Sequence, residues 1–161
     1  SNVILKIEDK KVHVCKELLA INSPVFERLF FRYSEMGKDE VEIKDIVYEE
    51  FLDFLTVVYP GETSITDRCV LRVYKLADRF GVESIVKRSK EHLMRTKGFD
   101  IVEKLIIADQ FNIDDLKDHC LQSFTDATDL EKKLKSSQEY DNFSSDMKIA
   151  IGDRAMQLTE I

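Results

Sequence analysis

The sequence has no tryptophan and is poor in glycine, proline and cysteine, with five, two and three residues respectively. The glycines are scattered, so no glycine-rich loop exists to cradle a phosphate group. Cys15, Cys69 and Cys120 stand more than 50 residues apart, which excludes a disulfide framework or a zinc motif. Unpaired cysteines are typical of buried positions and of a reducing compartment, so a cytoplasmic or nuclear location is expected.

Features of membrane and nucleic-acid-binding proteins are also missing. No apolar run approaches the ~18 residues that a membrane span needs, and the strand-like first residues lack the charged region of a signal peptide. The chain carries 24 Lys and Arg against 31 Asp and Glu, a formal net charge of −7. Because binding to a phosphate backbone needs a basic surplus, nucleic acid is not expected as a partner. The 161 residues suffice for one compact domain, or one domain with a helical appendage.

The first part of the sequence mixes strand and helix patterns. The run Val3-Ile4-Leu5 predicts a strand covered on both faces, within a β-hairpin. Ser23 followed by Pro24 is typical of a helix start, with the serine as the cap. The predicted elements are a hairpin of strands 3–7 and 12–14, a helix 16–22, a helix running through 25–31 with Pro24 at its first position, a polar loop 34–40, a strand 41–43 and a helix 48–59.

From Thr66, a candidate helix cap, the patterns predict only helices. After the helix that begins there, these are expected at 83–96, 100–110, 114–125, 128–135 and 145–158. Residues 76–85 recur in related form at 107–116, a period of 31 residues. Gly81 and Asn112 occupy the same place in the two copies, and both residue types tolerate the left-handed conformation past a helix end. Each copy is therefore predicted to be a helical hairpin.

Residues with catalytic or metal-binding chemistry do not converge in the sequence. The histidines, His13, His92 and His119, have no metal-ligand partners at strand or helix spacing. Cys120 adjoins His119, but neighbouring residues point to different helix faces, so a catalytic pair is not predicted. The acids at 114, 115 and 118 suit a helix start and a solvated face. No enzyme activity, cofactor or metal is expected.

Two surface features indicate interaction with other proteins. Phe30, Phe31 and Tyr33 run into the polar loop, and one helix face cannot bury all three, so exposed aromatics are interface candidates. The alternative is that both phenylalanines are core and only Tyr33 is exposed. The stretch 35–53 holds eight acids and two lysines, a net charge of −6, and is expected to steer a basic partner in a salt-dependent manner.

Several strings of the sequence resemble one family, the BTB/POZ domains. The string from Val12 to Phe26, ending in Ser-Pro-Val-Phe, is similar to the second strand and the helices that follow it. Val41-Glu42-Ile43, then Phe51-Leu52-Asp53-Phe54-Leu55 and Tyr59-Pro60-Gly61, resembles the third strand and the next helix. Leu76-Ala77-Asp78-Arg79-Phe80 is similar to the penultimate helix. The resemblance implies an α+β BTB/POZ fold, a helical cluster capped by a short three-stranded sheet and followed by helical hairpins.

The resemblance also implies a domain organisation and a function. Residues 1–97 resemble the BTB/POZ domain, and 98–161 a helical extension like the paired helices of cullin-3 adaptors. The most similar subclass is the MATH–BTB proteins, which carry a substrate-binding domain upstream. Such a protein homodimerises, docks the cullin-3 N-terminal domain and presents a substrate protein for ubiquitination without catalysing a reaction. The alternatives are a BTB oligomerisation module without cullin binding, and a helical scaffold with a peptide groove between 100 and 158.

The family motifs assign roles to a few residues. Tyr33-Ser34-Glu35 fits the hydrophobic-x-Glu cullin motif, although an ungapped match places Ser34 and Met36 there. Phe80 matches an aromatic cullin-contacting position, and Leu18 an apolar position of the dimer interface. The family usually has a histidine at Cys15, an aspartate at Asn2 and a helix before the first strand. These departures imply a weaker homodimer.

Overall fold

The computed structural model describes residues 2–61 and 63–160 of the chain. The elements follow the order that the sequence predicts, with strands and helices mixed as far as β3 and only helices after it. They are β1 (Asn2–Ile7), β2 (Lys10–Cys15), α1 (Lys16–Asn22), α2 (Pro24–Glu35), β3 (Glu40–Glu42), α3 (Tyr48–Val58), α4 (Val70–Phe80), α5 (Glu83–Arg95), α6 (Ile101–Gln110), α7 (Asp114–Gln122), α8 (Ala127–Leu130) and α9 (Ser145–Thr159). A π-helical turn follows α8 at Glu131–Lys135, and a 3₁₀ turn lies at Tyr140–Asn142. The α+β architecture is confirmed.

The three strands form one sheet in the order β2-β1-β3. β1 pairs with β2 antiparallel and with β3 parallel. Glu8 and Asp9 both have positive φ angles, 50° and 64°, as a two-residue hairpin turn requires. The hairpin is confirmed, with a turn shorter than the sequence suggested. β1 alternates buried and half-buried residues, so the expectation that both of its faces are covered is wrong: only the face of Val3, Leu5 and Ile7 is fully buried.

Phenylalanine rings from three helices pack together at the centre of the first part of the chain. The Phe26 ring of α2 lies 4.4 Å from the Phe80 ring of α4 and 5.5 Å from Phe30, centroid to centroid. Phe51 and Phe54 of α3 lie 6.2 and 6.0 Å from Phe80. These five residues are at most 3 % exposed. Ring pairs at these separations attract one another beyond what their burial contributes.

Helix starts agree with the predictions at α2 and differ at α4. The Ser23 side chain accepts a hydrogen bond from the Phe26 N–H (3.0 Å), with Pro24 in the first turn, so the predicted cap is confirmed. Thr66 does not cap α4. The helix begins four residues later, and Cys69 is the cap residue, with no side-chain hydrogen bond to the first turn of the helix. The Thr66 carbonyl instead accepts the Val70 N–H (2.9 Å), which closes a turn ahead of the helix.

The two copies of the repeat end their first helices in the same way. Gly81 has φ +68° and Asn112 φ +55°, both left-handed. The Val82 N–H donates to the Ala77 carbonyl (2.8 Å), and the Ile113 N–H donates to the Ala108 carbonyl (2.9 Å). These bonds satisfy carbonyls that the helix end leaves open. The helical hairpin α6–α7 is confirmed, and in the first copy α5 begins two residues after the left-handed Gly81.

The chain divides into two compact units, residues 1–92 and 93–161, with the boundary inside α5. In the second unit, Leu105, Leu116, Leu130, Leu134 and Ile151 are fully enclosed and form its core. The Asp109 carboxylate accepts hydrogen bonds from the Ser144 N–H (2.8 Å) and hydroxyl. Because Ser144 caps α9, Asp109 fixes the start of the last helix.

Candidate functional site

A short contact between a histidine and a carboxylate lies just before α4. His92 Nε2 lies 2.6 Å from an Asp67 carboxylate oxygen, and this pair links α5 to the turn before α4. Among residues 2–61 and 63–160, no three His, Cys, Asp or Glu side chains are grouped so as to hold a metal ion. Within the same residues, no helix is long and apolar enough to cross a membrane.

The cysteines occupy two kinds of environment. Cys120 on α7 is 2 % exposed, and burial raises the pKa of its thiol to about 11, against a smaller lowering by the Lys104 ammonium. Cys15 and Cys69 are half-buried. The prediction of buried cysteines is right for Cys120 and wrong for the other two, which lie at the edges of their elements. All three are free thiols.

The Tyr33-Ser34-Glu35 motif lies on the last turn of α2, not in the loop where the sequence suggested it. Three backbone hydrogen bonds fix the turn that follows: Met36 N–H to the Arg32 carbonyl, Gly37 N–H to Ser34 and Lys38 N–H to Tyr33. Gly37 has φ +71°, a conformation that glycine adopts without strain. The motif is thus presented on an ordered helix end.

Side chains of this helix end point in different directions. Tyr33 is half-buried and lines a surface depression of about 370 Å³ together with Phe30, Val3 and Lys16. Glu35 is exposed. We call the exposed end of α2, formed by Phe31, Tyr33, Glu35 and Met36, the α2 end surface.

Of the adjacent phenylalanines, Phe30 is 3 % and Phe31 67 % exposed. The alternative with both in the core is wrong, because consecutive helical residues point about 100° apart. Phe31 follows Glu27 and precedes Glu35 by four residues each, so an exposed aromatic ring stands between two carboxylates on one side of α2. This acid–aromatic–acid spacing is the signal in the sequence that identifies Phe31 as exposed.

Phe80 lies inside the aromatic core of the free chain, 3 % exposed. The Ser23 hydroxyl donates a hydrogen bond to its carbonyl oxygen, and its ring stacks on Phe26. Both contacts bring α4 against the start of α2, so Phe80 positions α2. A direct contact between this ring and a partner stays a prediction.

Two further patches of apolar side chains lie at the surface, one on α1 and one on α2. Leu18 is half-buried, and Ile21, three residues later on α1, is 83 % exposed. On α2, Val25 and Leu29 are half-buried beside two arginines and border a surface depression of about 750 Å³. We call Leu18 and Ile21 the α1 surface.

The acidic stretch 35–53 is partly neutralised by other elements. Four of its eight acids form ion pairs with basic residues outside it, which reduces the local excess from −6 to −2. The pairs are Glu40 with Lys11 (3.3 Å), Glu49 with Lys10 (3.9 Å), Glu50 with Lys75 (3.6 Å) and Asp53 with Arg72 (3.2 Å). The remaining acids, among them Glu35, face outward.

Comparison with known families gives a direct match. The model of the BTB/POZ domain family matches residues 1–97. Because this match covers more than half of the chain, the protein belongs to the BTB/POZ domain family, whose members are protein-interaction modules.

Two relatives whose names include the same domain are consistent with this assignment. The chain is 31 % identical over 158 residues to the BTB and MATH domain-containing protein 38 of Caenorhabditis elegans, covering 98 % of this chain and 41 % of that protein. It is 30 % identical over 141 residues to protein 36 of the same series, covering 87 % of this chain and 44 % of that protein. The chain thus spans less than half the length of these relatives.

Among solved structures, the chain resembles two BTB domains. The BTB domain of human gigaxonin matches with a TM-score of 0.48 and 17 % identity, covering 55 % of this chain and 74 % of that one. The BTB domain of zebrafish PATZ1 matches with a TM-score of 0.49 and 22 % identity, covering 58 % and 75 %.

Proposed function

We propose that this chain is the cullin-3-docking part of a ubiquitin-ligase substrate adaptor. Residues 1–97 form the BTB/POZ domain, and 98–161 a helical extension of paired helices. The names of its relatives pair BTB with a MATH domain, which supports a substrate-binding domain outside this chain. Its free cysteines favour a reducing compartment, the cytoplasm or the nucleus.

The α2 end surface carries this proposal. Exposed apolar groups beside an ordered carboxylate suit a partner that offers an apolar pocket next to basic or N–H donors. Tyr33 supplies apolar area from its half-buried ring, and Glu35 accepts hydrogen bonds from the cullin. Phe80 acts from the core by holding the start of α2, and Ser23 links the two.

Homodimerisation is proposed through the α1 surface, with Leu18 at its centre. A half-buried leucine beside an 83 % exposed isoleucine forms an apolar patch on a short helix, and burying it against a second copy removes that area from water. Cys15 and Asn2 stand where the family usually has ionisable groups, so we expect a weak dimer.

Calorimetry with the cullin-3 N-terminal domain tests the docking proposal. We expect micromolar or tighter binding, weakened about tenfold or more by Tyr33→Ala or Glu35→Ala, because each removes a central contact. Asp118→Ala on α7 removes an exposed acid that is not part of the α2 end surface and is the matched control, expected to bind like the unaltered chain.

Two results would contradict the proposal. Absence of detectable binding by the unaltered chain would reject cullin docking, and a tight dimer in light scattering would then favour a BTB oligomerisation module. Binding that neither substitution weakens, with folding verified by circular dichroism, would reject the α2 end surface as the docking site.

A further inference from the structure

A small cavity lies in the second unit, between the end of α6 and the 3₁₀ turn that precedes α9. Its volume is about 160 Å³, and an apolar protein cavity of about 150 Å³ holds a benzene molecule. Two of the residues that line it supply apolar walls: Ile106 of α6 and Phe143, which is 6 % exposed. The cavity is therefore large enough for one side chain of a partner protein.

Four polar side chains complete the lining of this cavity, and all of them carry oxygen acceptors. They are the carboxylates of Asp109 and Glu139 and the amides of Gln110 and Asn142. None of the described residues that line the cavity is basic, and no ion pair among the described residues includes Asp109 or Glu139. The cavity thus combines an apolar wall with two carboxylates that no described cation neutralises.

Hydrogen bonds within the chain hold the walls of the cavity in place. The Asn142 N–H donates to the Glu139 carbonyl (3.0 Å), which closes the 3₁₀ turn. The Asp109 carboxylate accepts from the Ser144 N–H and hydroxyl, which ties the end of this turn to α6. Each carboxylate oxygen has two lone pairs, so Asp109 keeps capacity for a ligand. A site that is already formed needs little ordering on binding, which favours binding of a small group.

The lining of the cavity excludes two kinds of occupant. A purely apolar side chain would remove four polar groups from water without replacing their hydrogen bonds, which is unfavourable. An acidic side chain would be repelled by both carboxylates. The lining therefore calls for a group that is apolar along its length and cationic at its end.

An arginine side chain matches both parts of this lining. Its methylene stem can lie along apolar surface while its charged head stays among polar groups. The planar guanidinium presents five N–H donors and pairs with a carboxylate through two parallel hydrogen bonds. A lysine has a similar stem but carries only three donors on one nitrogen, so it satisfies fewer of the four acceptor groups.

We propose that this cavity, which we call the arginine cavity, binds an arginine side chain of a partner protein. Ile106 and Phe143 contact the methylene stem, and Asp109 and Glu139 hold the guanidinium. The arginine cavity lies on the helical extension, apart from the residues of the α2 end surface, so it is a second binding site that does not depend on cullin docking. One side chain makes few contacts, so the isolated group binds weakly and the rest of the partner adds affinity.

Titration of the isotope-labelled full chain with N-acetyl-arginine amide, followed by nuclear magnetic resonance at constant ionic strength, tests this proposal. We expect the amide signals of Gln110 and Phe143 to shift, with a dissociation constant of about 1–10 mM. The citrulline analogue has nearly the same shape without the charge and is expected to bind at least about tenfold more weakly. The lysine analogue is expected to bind at least about threefold more weakly, because it donates fewer hydrogen bonds.

Substitutions at the rim test which residues hold the guanidinium. Glu139→Gln keeps the shape of the side chain and removes its charge, so binding is expected to weaken at least about threefold. Gln110→Glu adds a carboxylate and is expected to strengthen binding by a similar factor. Asp141→Asn is the matched control, because it removes an exposed acid that does not line the cavity. Asp109 is left unaltered, since it also fixes the start of α9.

Three results would each overturn the proposal: no shift up to about 50 mM of the arginine probe, equal binding of the citrulline or lysine analogue, or undiminished binding by the Glu139→Gln chain. Circular dichroism verifies that each variant is folded. Tyr33→Ala is expected to leave binding of the arginine probe unchanged, so failure of this proposal is distinguishable from failure of the cullin-docking proposal.

Discussion

Phe31 and Phe80 show how the same side chain takes opposite roles in this protein. Phe80 is enclosed by Phe26, Phe51 and Phe54, with ring centroids between 4.4 and 6.2 Å away. Phe31 extends into solvent from α2, 67 % exposed. One residue therefore contributes to stability and the other is available for binding.

Substitution by alanine separates these roles. Phe80→Ala is expected to lower the free energy of unfolding by about 3–5 kcal/mol, because it removes buried apolar area and leaves a cavity. Phe31→Ala, the matched control, should change it by less than about 0.5 kcal/mol. Urea denaturation followed by circular dichroism measures both. A small effect of Phe80→Ala would mean that its neighbours collapse onto the vacated space.

The buried Cys120 thiol makes the free energy of unfolding depend on pH in the alkaline range. This thiol has a pKa of about 11 in the folded chain, above its ordinary value of 9.0, because burial disfavours the thiolate. The folded state therefore holds its proton where the unfolded state has lost it, so this contribution is complete below pH 9 and is lost as pH rises from about 9 to about 11. We expect Cys120→Ala to show a shallower decline of stability over this range in chemical denaturation. An equal decline in both chains would contradict the shifted pKa.

At the scale of elements, the reversal between α4 and α5 depends on one backbone conformation. Gly81 has φ +68°, and a Cβ built there would lie 3.6 Å from Pro24 Cδ, an ordinary contact. The requirement for glycine therefore comes from the left-handed backbone and not from a clash. Asn112 carries the same conformation in the second copy of the repeat.

Gly81→Ala is accordingly expected to lower the free energy of unfolding by about 1–2 kcal/mol, the cost of a left-handed non-glycine residue. Gly61→Ala is the control: its φ lies outside the left-handed region, and no atom of the described residues lies within 4 Å of the added Cβ. That substitution should be neutral or slightly stabilising. Thermal unfolding of the two variants side by side measures the difference, and equal melting temperatures would contradict the assigned role of Gly81.

At the scale of the whole molecule, half of the acids in the stretch 35–53 form ion pairs within the chain, and we propose that the other half attract a binding partner. Four acids are paired with Lys10, Lys11, Arg72 and Lys75, so the outward field is smaller than the sequence count suggests. Exposed pairs of this kind contribute at most about 1 kcal/mol each to stability. Glu35, Asp39, Glu42 and Asp45 remain to attract a basic partner.

Raising the salt concentration is expected to slow association with the cullin-3 N-terminal domain, because screening removes steering by these acids. The doubly neutralised variant Asp39→Asn/Glu42→Gln should show a weaker salt dependence. Asp114→Asn/Asp118→Asn removes the same charge from α7 and should retain it. Stopped-flow measurements of the association rate test this prediction. Rates that do not change with salt in the unaltered chain would show that the acidic stretch is a solvated surface that does not steer the partner.

Local features of this protein were determined by the sequence itself. The hairpin, the Ser23–Pro24 helix start and the left-handed residues Gly81 and Asn112 depend on residues within about five positions of one another, so nearby residue types suffice to predict them. The motifs that identify the BTB/POZ family are equally local strings.

Tertiary packing decided the rest, because burial and pairing depend on residues far apart in the chain. Only the assembled helices determine that Phe80 is enclosed, that Cys120 is buried while Cys15 is not, and that half of the acidic stretch is paired. The delayed start of α4 at Val70 also emerges only when the helix meets its neighbours. Solvent exposure distinguishes a binding residue from a core residue, and neighbours distant in sequence set that exposure.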